Sequence, residues 1–143
     1  NRVIEWKPED LVVNMHICRG NFRSTWFSSG GYEPVAKTLF GHCRVDGFFL
    51  EYDSDRAGDF TPLRYIKNQK VVLGLITSKS GDLEDKGEVI ARIKEASQYV
   101  PLEQLCLSPQ CGFSSTEEGN ILTIEAQWDK LKLIDEIVHE VWG

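Results

Sequence analysis

The sequence predicts a parallel α/β fold. Three observations carry this reading. Four short apolar runs have the length of strands. Segments of helical periodicity or helical turns separate them, which is how parallel strands are connected. Polar and metal-ligating residue types gather at the C-terminal ends of those runs rather than at their starts.

Taken in order, residues 1–10 contain Trp6 and Pro8 and read as a connector, followed by a first strand at 11–18. Side chains alternate along a strand, which gives Val12, Asn14, His16 and Cys18 one face and Val13, Met15 and Ile17 the other; the first set is assigned inward. A Gly-, Ser- and Arg-rich loop covers 19–31. Pro34 suits the first turn of a helix through Val35, Ala36, Leu39 and Phe40, ending at Gly41. A second strand at 47–52 places Glu51 at its end, and a charged loop and a short helical turn at 60–66 follow. Val71–Thr77 is apolar on both faces, as a buried parallel strand should be. Asp82 is positioned to cap a helix running to Tyr99, with Val89, Ile90, Ile93 and Ala96 inward and Glu88–Arg92 as an exposed pair. The fourth strand, 105–108, stops at Pro109, with Cys111 just beyond. Thr123 caps a last helix whose Ile124, Trp128, Leu131, Ile134, Val138 and Val141 recur at helical spacing. Ser114–Glu117 reads as a further helix start.

Four β/α units are half of an eight-unit barrel of the TIM type, whose active sites lie at strand C-terminal ends. No Gly-x-Gly-x-x-Gly follows the first strand, so a dinucleotide-binding sheet is not supported. The chain has 143 residues, enough for one domain with a core. Its net charge of −6 speaks against a nucleic-acid partner. No run has the length of a membrane span, and none reads as a signal peptide. Asn1 in place of an initiator Met leads to the expectation that residues precede it. The four cysteines, at the ends of apolar runs, suit metal or thiol chemistry in a reducing, cytoplasmic setting.

His16 and Cys18 lie one pleat apart, two ligands for a borderline-soft metal. Taken alone the pair is as well explained by a packed histidine beside a buried cysteine. Glu51 and Cys111 fall at corresponding positions on other strands, and in a barrel such ends converge on one mouth. Each again has a plainer explanation, an ion pair with Arg56 for Glu51 and a turn cysteine for Cys111. Together the four suit a tetrahedral zinc. His42–Cys43 falls at the opposite end, and His139 on the last helix; both read as structural.

The segments His16-Ile-Cys-Arg-Gly-Asn21, Phe49-Leu-Glu-Tyr-Asp53 and Leu107-Ser-Pro-Gln-Cys-Gly-Phe-Ser-Ser115 resemble the C-terminal catalytic domain of the cobalamin-independent methionine synthase family, in the family's order and spacing. The shorter bacterial members without the N-terminal barrel are the most similar. The resemblance implies the C-terminal half of a (β/α)8 barrel, zinc held by His16, Cys18, Glu51 and Cys111, and methyl transfer from a methylfolate to the sulfur of homocysteine. Two departures accompany it. Where larger members carry a histidine thought to protonate the departing folate, this chain has Thr77-Ser78-Lys79-Ser80, which makes Lys79 either a substitute or a surface lysine. The family's upstream substrate-binding segments have no counterpart here. Arg19 and Arg56 are then candidates for a substrate carboxylate, or else pair with Asp53 or Asp55. The expected alternatives are a zinc-binding half barrel without turnover, and a zinc-free decarboxylase-type barrel of the same superfamily, against which the cysteine ligands speak. The chain is expected to pair with itself or with an upstream half through an inward row of Val12, Leu73, Leu75 and Leu105.

Overall fold

The computed structural model describes residues 1–143. Seven regular elements follow one another: β1 (Asn14–Ile17), α1 (Glu33–His42), β2 (Gly47–Glu51), β3 (Lys70–Ile76), α2 (Lys86–Ala96), β4 (Leu105–Pro109) and α3 (Ile124–Trp142). The strands form one sheet in the order β1-β2-β3-β4, every pair parallel. This is an α/β fold with half the strands of a TIM barrel. Between β2 and β3 the crossover is made by 3₁₀ turns at Asp55–Ala57 and Thr61–Tyr65 instead of a full helix.

The register fixes which side chains share a face. His16, Phe49, Val72 and Cys106 lie in one row across the sheet, and Met15, Phe48, Val71 and Leu105 in the row before it. The first row lies on the sheet face opposite the main core; Phe49 is 36% exposed there. The second row packs with Leu50, Leu73, Ala36, Phe40, Val89 and Ile93 into the main core. The expected inward row is therefore corrected. Val12 is exposed, but Leu73, Leu75 and Leu105 are buried beneath the helices. An apolar run offers no alternation from which its two faces can be told apart.

Pro34 does sit in the first turn of α1, whose buried face is Ala36 and Phe40. For α2 the cap is Asp85, which accepts from Glu88 N at 2.9 Å, whereas Asp82 stays in the loop, bonded to Ser80. The helix buries Val89, Ile90, Ile93 and Ala96 as expected. Arg92 does not pair with Glu88. It donates to the Tyr52 carbonyl at the end of β2 and lies 5.3 Å from the Phe60 ring centroid.

Thr123 caps α3 through Ala126 N, but the helix is rotated from the expected stripe. Lys130, Leu133 and Ile137 are its buried residues, and Ile124 and Trp128 are exposed. Lys130 explains the rotation. Its fully buried ammonium donates to the Asp82 carbonyl and to both Glu84 oxygens, at 2.6, 3.1 and 3.0 Å. A buried cation needs such partners, and holding them turns this face of the helix inward. Ser114–Glu117 forms no helix; the segment turns at Gly119, where φ is +72°. No helix is long and apolar enough to cross a membrane.

Candidate metal centre

β1 and β2 end side by side, so the residues just past Ile17 lie next to Glu51. β4 reaches the same point by a different route. Its register slips against β3 between Gly74 and Ile76, and Gln110 N bonds to the Ile76 carbonyl at 2.7 Å. Gly74 makes the slip sterically possible, because a Cβ there would lie 2.7 Å from Gln110 Cα and 2.8 Å from the Leu50 carbonyl oxygen. The chain then turns, and Cys111 faces Cys18.

The donor atoms of His16, Cys18, Glu51 and Cys111 all lie within 4.8 Å of one another. Cys18 Sγ is 4.0 Å from Cys111 Sγ, Cys111 Sγ is 3.7 Å from His16 Nε2, and His16 Nε2 is 3.8 Å from Glu51 Oε1. Ligand bonds of about 2.0–2.3 Å in a tetrahedron give edges of about 3.3–3.8 Å. These three spacings are thus close to those of a four-ligand shell, with the remaining donor pairs within 4.8 Å.

Surrounding groups hold the ligand types in place. The Gly20 amide donates to Cys18 Sγ at 3.3 Å, and Gly20 adopts φ +103°, where a Cβ would strike the Phe27 amide nitrogen at 2.6 Å. Glu51 is fully buried. Its Oε1 accepts from Arg19 N at 3.2 Å and its Oε2 from Arg56 Nη2 at 3.3 Å. With the Gln110 amide oriented to satisfy both its ends, Gln110 Nε2 also donates to Glu51 Oε1 at 3.3 Å. Tyr32 supplies what β1 is too short to give: its hydroxyl accepts from Glu51 N and donates to the Glu51 carbonyl. Burial raises the Tyr32 phenol above its ordinary pKa, so it remains the neutral donor this bridge needs.

Arg19 is turned away from the mouth. Its guanidinium lies 4.4 Å from the Tyr32 ring centroid and donates to the carbonyls of Gly30 and Arg56. Arg56 faces Glu51 and Asp53. Lys79 does reach the mouth. Nζ donates to the Gly20 carbonyl at 2.9 Å and Asn21 Oδ1 at 2.6 Å, and lies 3.3 Å from the oriented Gln110 oxygen. Burial lowers its pKa against the opposing pull of Glu51 and Cys111. Asn21 also donates to Ser115 Oγ and the Gly112 carbonyl, each at 2.6 Å, tying the Cys18 loop to the Cys111 loop. Tyr32, Gln110 and Asn21 carried no ligand signal in the sequence; Asn21 and Gln110 fall inside the segments that bear the resemblance, but only their contacts show what they do. His42 and Cys43 lie at the other end of the sheet, where His42 Nδ1 meets the Lys37 carbonyl, and His139 is exposed on α3. A cleft of about 460 Å³ opens beside the four-residue cluster, lined by His16, Phe49, Cys111, Phe113 and Leu131.

No family profile matches the sequence. Two Bacillus subtilis relatives, the uncharacterized proteins YxjH and YxjG, are 57% and 58% identical to it over 144 aligned residues, 99% of this chain. The chain spans only 38% of the length of each. The methionine synthase of Pyrococcus horikoshii is 25% identical over 102 residues, 71% of this chain and 27% of that protein. The crystal structure of the putative vitamin-B12-independent methionine synthase from Listeria monocytogenes matches with a TM-score of 0.76 and 48% identity, over 100% of this chain and 39% of that one. In sequence and in fold, the chain resembles the cobalamin-independent methionine synthases. The B12-independent methionine synthase from Shewanella, solved with selenomethionine, shares the fold at a TM-score of 0.74 with 24% identity, over 97% of this chain and 41% of that one. Against these longer chains the four parallel strands match half of a TIM barrel.

Proposed function

We propose that this chain is the metal-bearing part of a homocysteine S-methyltransferase, with zinc held by His16, Cys18, Glu51 and Cys111. The observation that carries the reading is the convergence of two thiols, an imidazole and a carboxylate from separate strand ends within 4.8 Å. Two sulfur donors and one nitrogen favour zinc over hard cations. A bound zinc would supply one thing here, a thiolate at neutral pH from a thiol whose free pKa is about 8.5.

The protein's own groups define the rest. Cys18 and Cys111 as thiolates, with Glu51, place three negative charges against one divalent ion. With zinc bound, Glu51 would be the ligand suited to give way, since a substrate thiolate would replace one anion by another and leave the charge unchanged. A sulfur held there would stay electron-rich toward a methyl donor, for which methylfolate is proposed. The cleft beside His16 and Cys111 is open to a small amino acid. Lys79, made a readier proton donor by burial, stands at the mouth to serve the departing donor. Arg19 is spent on backbone carbonyls and takes no part in this reading. The chain alone is proposed to hold zinc without completing turnover, because it spans 38% of its longer relatives.

The test is proton release. Adding homocysteine to the zinc-loaded chain in weakly buffered solution near pH 7 should liberate about one proton per site, since a thiol enters as thiolate. Binding with no proton release would show that sulfur activation is the wrong mechanism.

A further inference from the structure

Arg56 is placed to determine how firmly Glu51 is held. It lies in the 3₁₀ turn after β2, with its side chain 9% exposed. Nη2 is 3.3 Å from Glu51 Oε2 and 2.7 Å from Asp53 Oδ1, and Nε donates to Ser54 Oγ at 3.0 Å. Asp53 is itself fixed by the Thr77 hydroxyl at 2.9 Å. The guanidinium is therefore anchored by Asp53 and Ser54 as well as by Glu51, with the Trp26 ring centroid at 5.6 Å. Its other terminal nitrogen, Nη1, is buried and has no hydrogen-bond partner. A guanidinium is a planar fork that matches both oxygens of a carboxylate, and here only one arm of the fork is engaged. Of the four donor groups, Glu51 alone is ion-paired with an arginine.

We infer that Arg56 receives the Glu51 carboxylate: a positioning residue that competes for Glu51 and makes it the replaceable member of the ligand set. The inference rests on the zinc reading above. When a thiol takes the position of Glu51, its S–H proton passes to solvent, a sulfur–metal bond replaces the carboxylate–metal bond, and Glu51 keeps its negative charge. A carboxylate released in a fully buried site and left without a cation is costly. On Arg56 it gains the donor of Nη1 in addition to that of Nη2, so release leaves neither group unpaired.

The test is a pair of binding measurements on the 143-residue chain, wild type against Arg56→Met. Zinc affinity is read by competition with a chromogenic chelator. Homocysteine affinity is read from the thiolate-to-metal absorption of the cobalt(II)-loaded chain. Without Arg56, Glu51 keeps the Arg19 and Gln110 amides but loses the one cation that competes with the metal for it. Zinc should bind about tenfold tighter and homocysteine about tenfold weaker, the scale on which partners of metal ligands act. Arg56→Lys, which keeps the charge but not the fork, should fall between, and its shifts are read in the same way if Arg56→Met does not fold. Damage to packing, or loss of a partner that merely orients Glu51, would weaken both affinities. A joint weakening, or an unchanged homocysteine affinity, overturns the role of Arg56. A wild-type chain that takes up no zinc overturns the site reading itself, and so separates the two failures.

Discussion

Cys18 and Glu51 stand next to each other at the ends of paired strands, yet they differ in what they bring to a metal. The Cys18 sulfur is a soft donor supported by one backbone amide, whereas Glu51 is a hard donor already satisfied by Arg19 N and Arg56. Cys18→Ser should therefore weaken zinc binding by about a hundredfold or more, and Glu51→Gln by only about tenfold. Chelator competition measures both, and the reverse order would mean that the carboxylate carries the site. At this scale much of the arrangement was legible. Strand alternation put His16 and Cys18 on one face, and strand ends singled out Glu51 and Cys111. Arg19 was not legible: the loop after β1 carries its side chain back under Gly30 and Arg56, a direction that alternation cannot give. Tyr32 and Gln110 act by completing another residue's hydrogen bonds across a loop, which leaves no pattern of spacing.

At the scale of elements, the site depends on how β4 ends. The slip beside Gly74 lets Gln110 reach both the β3 edge and Glu51, and so delivers Cys111 to the mouth. Gly74→Ala would push a methyl group into the backbone of two strands, where neither neighbour is a flexible side chain. Its expected cost is about 1–3 kcal/mol, read by urea unfolding, together with weaker zinc retention from a displaced Cys111. A change below about 0.5 kcal/mol with zinc binding intact would show that β4 accommodates the methyl group. The four strands and three helices were readable from runs, periodicity and the Thr123 cap. The rotation of α3 was not, because the fully buried Lys130 chose the inward face over the apolar stripe. The α2 cap fell to Asp85 because its carboxylate, not that of Asp82, reaches a free amide of the first helical turn, at Glu88.

On the scale of the whole molecule, four parallel strands leave β1 and β4 as open edges, and parallel sheets are ordinarily covered on both faces. The row of His16, Phe49, Val72 and Cys106 lies on the sheet face opposite the main core, and Trp128 on α3 is 57% exposed. Burying such side chains is worth roughly 1.5–3 kcal/mol each, against a net stability of only about 5–15 kcal/mol for a typical domain. The chain is predicted to self-associate at micromolar concentration, through this row and not through the leucines expected from the sequence. Sedimentation velocity should show a dimer or larger species. A sharp monomer that also turns over methylfolate and homocysteine would contradict both the proposed incompleteness and the role given to this face.

Whether His16, Cys18, Glu51 and Cys111 together hold one zinc can be read by X-ray absorption at the zinc edge on the metal-loaded chain. The spectrum should show one zinc per chain, with two sulfur neighbours at about 2.3 Å and two nitrogen or oxygen neighbours at about 2.0–2.2 Å. On adding homocysteine, the sulfur count should rise to three as one oxygen neighbour is lost. A zinc shell without sulfur, or no stoichiometric zinc in a folded chain, would contradict this ligand set.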